Sequence, residues 1–245
     1  MSVLVGIALI VAVFVTSTIS GIFGMAGGLI LLAILLAILP VGTAIAVQGV
    51  IQLVSNGSRA YFSRAFIDWP IQGIIFIGLA TAAALLFFVR YTPDLATVCI
   101  AVGLMPILVW IPTRWLELDA SKPLHAFICG FLSGGLNLAV GAAGPTVDIF
   151  FIRTQMDRRK IIATKAATQV ISHAAKIVFY WNAATVLTPI EWTAVLIAAP
   201  FAIGGASAGN WVLQRLTDAH FRSWTRLVVT GIGIFYFIRG ISLMI

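Results

Sequence analysis

Charged residues are scarce in this chain of 245 residues. Asp, Glu, Lys and Arg make up only 9% of the sequence, whereas 61% of the residues are hydrophobic and the mean hydropathy is +1.08. A soluble domain needs a polar surface, so this composition indicates an integral membrane protein. The apolar blocks have the length of helices and lack the alternation of barrel strands. The sequence therefore predicts an all-α polytopic membrane protein.

Cysteines and catalytic motifs are also lacking. The two cysteines, Cys99 and Cys129, lie inside apolar blocks and are too few for a disulfide scaffold or a thiolate metal cage. The sequence has no nucleophile elbow, no P-loop, no H-E-x-x-H motif and no acidic pair placed for hydrolysis. These absences predict a protein that is not an enzyme and that needs no metal or cofactor.

The net charge of +7 is the one feature that could suggest nucleic acid. However, the basic residues are spread over short loops, with one cluster at Arg153, Arg158, Arg159 and Lys160. Short cytoplasmic loops of membrane proteins are rich in Lys and Arg, so membrane topology accounts for this pattern. The expected partner is a lipid bilayer and not nucleic acid.

Eight apolar segments are separated by prolines and polar residues. Their approximate limits are 3–39, 44–62, 71–89, 95–111, 124–152, 161–181, 192–213 and 227–245. Four segments lie on each side of a polar connection. We therefore expect a first membrane repeat over residues 1–111, a connecting loop at 112–123 and a second membrane repeat over 124–245.

The two halves resemble each other when the chain is shifted by 117 residues. The identical pairs that result include Gly24 and Gly141, Gly27 and Gly144, Gln52 and Gln169, Ser55 and Ser172, and Phe62 and Phe179. Secondary transporters are often built from two repeats that form a binding site at their interface. The pattern predicts two homologous four-segment halves with a site between them.

Clusters of small residues interrupt the first and fifth segments. They are Gly24-Met25-Ala26-Gly27-Gly28 and Gly141-Ala142-Ala143-Gly144-Pro145. Such breaks free backbone groups, which a membrane tolerates only where protein or a water-filled cavity surrounds them. We expect broken first and fifth helices, either as kinks in eight spans, the favoured interpretation, or as the tips of re-entrant hairpins, which would invert the repeats.

The Lys and Arg residues predict the orientation in the membrane. With eight simple spans, the side with the termini carries six basic residues and the other side nine. With hairpins, the counts become three and twelve, and only Arg90, Lys176 and Arg239 lie on the side of the termini. In both cases the richer side should be cytoplasmic and both termini should lie outside.

Two segments carry a polar stripe on one helical face. The stripe of segment two is Gln48, Gln52, Ser55, Asn56 and Arg59, and that of segment six is Lys165, Gln169, Ser172, His173 and Lys176. Polar groups deep in a bilayer are costly unless they meet each other, water or a ligand. The stripes could serve only to bind helices together. Their duplication beside the two small-residue clusters favours a binding site.

The residue types of this site fit a small oxyanion. Free N–H groups at the start of a half-helix attract anions, and Pro145 suits the first position of such a helix. The residues expected to bind the oxyanion directly are Gln52, Ser55, Asn56, Gln169, Ser172 and His173. The residues expected to shape the backbone around it are Gly27, Gly28, Gly144 and Pro145. Arg59 and Lys176 are expected to supply positive charge from the mouth of the cavity and to set the charge preference.

Two ionisable residues are candidates for proton coupling. Asp148 could be a proton site or could pair with Arg153, and His173 could relay protons or only form a structural hydrogen bond. Asn137 could cap freed backbone or face the substrate. A proton- or cation-coupled carrier of another small organic solute, and a non-transporting scaffold subunit, therefore stay open as alternatives.

The sequence resembles the TauE/SafE, or sulfite exporter, family. The residues that carry the resemblance are Ser20 to Gly28, Gly141 to Pro145, Ser55-Asn56 and Ser172-His173. The resemblance implies two homologous halves and movement of small sulfur-containing anions, such as sulfite or organosulfonates, across the bacterial inner membrane. Export is the simpler direction, because an anion leaving a cell that is negative inside gains about 2.3 kcal/mol per charge per 100 mV.

Small residues in segment seven could form a close helix contact within one chain or between two copies. Gly204-Gly205-Ala206 would permit a close helix contact. That contact could be intramolecular packing, which we favour, or the interface of a homodimer.

Overall fold

The computed structural model describes residues 3–23, 26–112, 117–152, 154–213, 215 and 218–245, and all its regular structure within these ranges is helical. The α-helices are α1 (Val3–Phe23), α2 (Ala26–Ile38), α3 (Val41–Phe62), α4 (Trp69–Phe88), α5 (Leu95–Leu104), α6 (Pro106–Trp110), α7 (Pro123–Val140), α8 (Gly144–Phe151), α9 (Arg158–Phe179), α10 (Trp181–Ala184), α11 (Pro189–Leu213) and α12 (Asp218–Ser242). A short 3-10 helix covers Arg64–Phe66. The prediction of an all-α protein is confirmed.

Within the part of the chain that the structure describes, five helices are long and apolar enough to cross a membrane. These stretches are Gly6–Phe23, Trp69–Phe88, Pro123–Val140, Pro189–Leu213 and Trp224–Ser242. The shorter apolar stretches are Ala26–Ile38 and Leu95–Trp110. Large apolar side chains on the outside of the bundle are exposed, as expected for a surface that faces lipid. The eight-segment count and the homology of the two halves stay predictions.

The polar helices α3 and α9 form the centre of the bundle. They pack against each other, and α2, α4, α7 and α11 cover them. Gly49 of α3 contacts Ile177 near the end of α9, whereas Asp68, just after α3, binds Thr164 near the start of α9. The two helices are therefore antiparallel. Their polar stripes can avoid lipid because other helices surround them.

The chain reverses direction after α7. The N–H of Ala120, just before α7, donates to the carbonyl oxygen of Phe150 in α8 at 2.8 Å. If α7 and α8 continued in one direction, Phe150 would lie about 40 Å from the start of α7 at 1.5 Å per residue. Residues 141–143 therefore form the tip of a hairpin. The favoured interpretation of a single kinked span is wrong here, because a left-handed glycine, Gly141 with φ 79°, ends α7.

The α1 and α2 helices also fold back on each other. Gly27 follows Thr16 by eleven residues, or about 16 Å along a straight helix. Nevertheless, a Cβ atom on Gly27 would overlap the Thr16 carbonyl oxygen and would lie 2.7 Å from the Ser20 Cβ. Gly24 and Met25, which connect α1 to α2, lie outside the described residues. The hairpin interpretation describes both halves.

The two hairpins enter the bundle from opposite sides. Gly240 of α12 contacts Ile100 of α5 and Gly233 contacts Pro106, so α5 and α12 are antiparallel, like α3 and α9. Corresponding helices of the two halves thus run in opposite directions. The first helix of each hairpin also packs on a helix of the other half of the chain: α1 packs on α11, and α7 packs on α4. We call the side that holds both chain ends the terminal side, and the side that holds the α3–α4 and α8–α9 connections the basic side.

Small residues allow the close packing of α1 on α11. A Cβ atom on Gly205 would overlap the Phe14 carbonyl oxygen, and one on Gly209 would overlap that of Thr18. The favoured intramolecular role of this glycine-rich stretch is thus observed at Gly205. Cys99 and Cys129 are free and buried, as expected for small core residues.

Candidate functional site

A small cavity of about 60 Å³ lies between the two hairpins and the central helix pair. It is lined by Ser20, Gly28, Leu29, Gln48, Gln52, Asn56, Ser133, Asn137, Gly141, Ala142, Ala143, Gly144, Val147, Thr168, Gln169, Ser172 and His173. Both polar stripes contribute to this wall, because the antiparallel packing of α3 and α9 turns the two stripes toward each other. None of the described lining residues is acidic.

Polar groups on α7 and α9 are joined by hydrogen bonds around the cavity. The Asn137 Nδ2 donates to the Ser172 Oγ at 2.6 Å. The Ser172 hydroxyl thus has a bound donor and can turn its own hydrogen elsewhere. On the same helix, the Thr168 hydroxyl donates to the Gln72 Oε1 of α4 at 3.0 Å. These contacts fix the donor groups of the wall in place.

His173 presents an unpaired nitrogen at the cavity. Its side chain is buried, and its Nδ1 has no hydrogen-bond partner in the described structure. A buried polar atom without a partner costs free energy, typically about 1–3 kcal/mol. Such an atom beside a cavity is therefore a candidate contact for water or a ligand.

Lys176 lies directly behind the cavity wall. Its side chain is fully buried, and its Nζ donates to the Gln48 Oε1 at 2.6 Å and to the Gly141 carbonyl oxygen at 2.8 Å. The Gln48 Nε2 in turn donates to the Gly28 carbonyl oxygen at 3.0 Å. One chain of hydrogen bonds thus joins the tip region of the second hairpin to the start of α2 in the first.

The N-terminal residues of two helices line the cavity. Gly28 belongs to the first turn of α2, and Gly144 is the first residue of α8. Backbone N–H groups in a first turn have no acceptor within their own helix, and the helix dipole is positive there. Pro145 follows Gly144 directly and removes no needed donor at this position. The two ends favour negative charge between them.

The structure brings many of the predicted residues together. Those that line the cavity are Gln52, Asn56, Gln169, Ser172, His173, Gly28 and Gly144. Those that do not line it are Ser55, Gly27, Pro145, Arg59, Lys176 and Asp148. Ser55 is buried and its hydroxyl has no partner among the described residues, whereas Gly27 packs on α1 and Pro145 is buried in α8.

Neither of the two predicted cations lines the cavity. Lys176 is fully buried behind the wall, contrary to the expected place at the mouth, because its long side chain reaches inward to Gln48 and Gly141. Arg59 is half-buried near the end of α3 and does not line the cavity, and its buried Nη2 has no hydrogen-bond partner in the part of the chain that the structure describes.

Asp148 has a different partner from the one expected. Its carboxylate forms an ion pair with Lys165 of α9. Arg153, the partner considered from the sequence, lies outside the described residues. The pairing arises because the α7–α8 hairpin returns toward the basic side, where α9 begins. Both side chains are partly exposed and neither lines the cavity.

Sequence reasoning missed three polar residues of the wall, namely Ser20, Ser133 and Thr168. The sequence repeat could have indicated Ser20, because the shift of 117 residues aligns it with Asn137, which was already a candidate. Ser133 lies one helical turn before Asn137 on the same face. Thr168 precedes Gln169 and gave no signal of its own.

The groups around the cavity are mainly neutral and polar. Amide and hydroxyl groups, two helix N-termini and one buried amine surround it, and no His, Cys, Asp or Glu cluster that could hold a metal occurs in the described residues. A family model described as "Sulfite exporter TauE/SafE" matches residues 9–236. The chain belongs to the TauE/SafE family. Neither a curated protein nor a solved structure matches the chain.

Membership in the TauE/SafE family implies the general function. The family implies a membrane exporter of the sulfite or sulfonate type, and its members are transporters rather than enzymes. The apolar helices agree with a multi-pass membrane protein of this kind. The match covers all residues that line the cavity.

Proposed function

We propose that this TauE/SafE protein exports a small sulfur-containing oxyanion, sulfite or an organosulfonate, through the cavity between its two hairpins. The observation that carries the proposal is the buried Lys176, which contacts two wall residues and has no carboxylate partner in the described structure. A buried charge is costly without a partner. A bound anion would supply the missing counter-charge.

The size of the cavity supports a small substrate. A water molecule needs about 10–15 Å³ of such space, so 60 Å³ holds about four to six water molecules. That volume suits an anion of four or five heavy atoms. Drug-sized ligands occupy pockets of about 300–1,000 Å³. A sulfonate with a short organic group would require the cavity to widen.

The polar groups of the wall would replace the water shell of the anion. Gln52, Asn56, Gln169 and Ser172 carry neutral donors, and the N-termini of α2 and α8 add backbone N–H groups. Lys176 would set the charge preference from behind the wall. Arg59 would act only on approach, because it does not line the cavity. This division of roles fits a site that binds an anion and releases it again.

A proton-coupled carrier is the second candidate function. His173 favours it, because this residue lines the cavity and its Nδ1 is buried without a partner. Asp148 favours it less, since its carboxylate pairs with Lys165 outside the cavity. Coupling would therefore depend on His173 rather than on Asp148.

Removing single donors from the wall should slow sulfite flux. We expect Ser172→Ala and Gln169→Leu each to lower flux about tenfold in liposomes, because one hydrogen bond to a charged group contributes about 1.5–3 kcal/mol. Ser58→Ala is the matched control, since its hydroxyl bonds to the Ser55 carbonyl within α3 and lies outside the cavity wall. Unchanged flux in both wall variants, with stable protein, would contradict the proposed site.

Flux that requires a pH gradient and stops in His173→Gln would support the coupled carrier.

The same proposal places the protein in the bacterial inner membrane with both termini in the periplasm. The hairpin path gives twelve basic residues on the basic side and three on the terminal side, and the richer side should be cytoplasmic. The possible homodimer stays a prediction.

Thiol labelling should test this orientation. Lys160→Cys at the start of α9 should react with a membrane-impermeant maleimide only in inside-out vesicles, whereas Val186→Cys between α10 and α11 should react in whole spheroplasts. The native Cys99 and Cys129 are buried and provide an unlabelled background in the parent protein. The reverse labelling pattern would place the termini in the cytoplasm.

A further inference from the structure

A second, larger cavity lies on the outer surface of the bundle between α5, α6 and α12. Its volume is about 450 Å³, and it is lined by Gly103, Leu104, Pro106, Ile107, Trp110, Thr230, Ile234 and Phe237. All but one of these residues are apolar. We call this feature the outer groove. It is separate from the central cavity and shares no lining residue with it.

Proline and glycine give the outer groove its shape. The helix that begins at Leu95 is interrupted after Leu104, and Pro106 starts α6. Proline removes a backbone donor and clashes with the preceding turn, which bends the path of a helix. A Cβ atom on Gly233 would overlap Pro106, so α12 approaches this bend closely. The bend after Leu104 and the close approach of α12 thus set the course of the groove.

One end of the outer groove is polar and basic. The Trp110 Nε1 donates to the Thr230 Oγ1 at 2.9 Å, which holds the indole ring across that end. The Arg226 guanidinium carbon lies 5.4 Å from the centre of the same ring, and the Arg226 side chain is exposed. Trp110 ends α6 on the basic side, at the level where tryptophan meets lipid headgroups. The groove thus has a cation at its mouth and apolar walls beyond it.

The groove runs from this mouth toward the middle of the membrane. Thr230 and Phe237 are seven residues apart on α12, or about 10 Å along the helix axis. That path is about a third of the hydrocarbon core, which is about 30 Å thick. An extended apolar chain anchored at the headgroup level would follow the same direction.

We propose that the outer groove binds one acyl chain of a phospholipid whose anionic headgroup contacts Arg226. Arginine donates to phosphate with two parallel N–H groups. A cation at the membrane surface also attracts lipids that carry a net negative charge. The exposed faces of Ile107 and Ile234 would cover the acyl chain. The occupant is a lipid rather than a second copy of the chain, because a charge at the mouth of an apolar groove matches a headgroup above a tail.

Native mass spectrometry of the full chain can test this site. The protein would be released from nanodiscs that contain equal amounts of phosphatidylglycerol and phosphatidylcholine with the same acyl chains. We expect retained phosphatidylglycerol to exceed phosphatidylcholine, and Arg226→Gln to lower that preference about fivefold, the factor that corresponds to about 1 kcal/mol per surface cation. Ile234→Trp, which fills the groove, should lower the retention of both lipids.

Arg215→Gln is the matched control for Arg226→Gln. Arg215 also stacks on a tryptophan, with its guanidinium carbon 3.5 Å from the centre of the Trp211 ring, but Trp211, unlike Trp110, does not line the outer groove. This variant should keep the preference for phosphatidylglycerol. Equal retention of both lipids by the wild type, or an equal loss in Arg215→Gln and Arg226→Gln, would overturn the proposal. A dimer that dissociates in Ile234→Trp would assign the groove to a second copy and would also overturn it.

Discussion

Replacing Lys176 with methionine should lower the affinity for sulfite about 100-fold. The substitution keeps an unbranched side chain but removes the amine that contacts the cavity wall through Gln48 and Gly141. Contacts with a charged group contribute about 1.5–3 kcal/mol each, and a factor of 100 corresponds to about 2.7 kcal/mol. The measurement is the shift in melting temperature of the purified protein as sulfite is titrated.

Lys165→Met is the matched control on the same helix. Lys165 also belongs to the polar stripe of α9, but it pairs with Asp148 and does not line the cavity. Its replacement should change the sulfite affinity less than threefold. Equal effects in the two variants would show that Lys176 has no special role.

A structural role of Lys176 can be separated from an electrostatic one. Gln48→Leu removes the bridge from Lys176 to Gln48 and the bond to the Gly28 carbonyl oxygen, but it leaves the charge in place. If the charge acts on the anion, Gln48→Leu should keep most of the response to sulfite whereas Lys176→Met loses it. If Lys176 only joins the two hairpins, both variants should lose stability and the response to sulfite together.

Replacing Gly27 with alanine should destabilise the fold by at least about 3 kcal/mol. The new Cβ atom would overlap the Thr16 carbonyl oxygen and would approach Ser20, and backbone atoms cannot move aside without separating α1 from α2. The expected result is a large loss of monodisperse protein on size-exclusion chromatography and a lower melting temperature. In an unpacked helix the same change would stabilise by up to about 1 kcal/mol.

Two other glycines provide controls for Gly27→Ala. Gly57 lies in α3 with open space where its Cβ atom would be, so Gly57→Ala should keep or raise the melting temperature. Gly28→Ala places its Cβ atom against the flexible end of Gln52 in the cavity wall, so this variant should fold but transport sulfite more slowly. Normal stability of Gly27→Ala would contradict the α1–α2 hairpin.

The polar stripes were the part of the site that the sequence predicted best. Gln52, Asn56, Gln169, Ser172 and His173 line the cavity, because period-3.6 spacing fixes one helical face whatever the helix packs against. Ser55 was included on the same pattern but does not line the cavity. Sequence spacing identifies which face of a helix is polar, but not which residues on that face meet the cavity. The way α3 and α9 cross decides the latter.

The depth and partner of the charged groups could not be predicted. Lys176 was expected at the mouth of the cavity, yet its amine lies behind the wall. Asp148 was considered with Arg153, five residues away, yet it pairs with Lys165. A long side chain reaches across several positions, so its partner depends on which backbone carbonyls and side chains the tertiary packing brings within hydrogen-bond distance.

The sequence by itself determined that this protein is an all-helical membrane protein, that it carries small-residue breaks in the first and fifth segments, and that it resembles the TauE/SafE family. Composition, periodicity and local motifs are properties of the chain alone. Only the tertiary structure decided that α1 and α2, like α7 and α8, fold back on each other as hairpins that enter from opposite sides, with Lys176 between the two hairpins. The reason is physical: a glycine-rich break permits a kink and a reversal alike, and only the packing of distant helices selects between them.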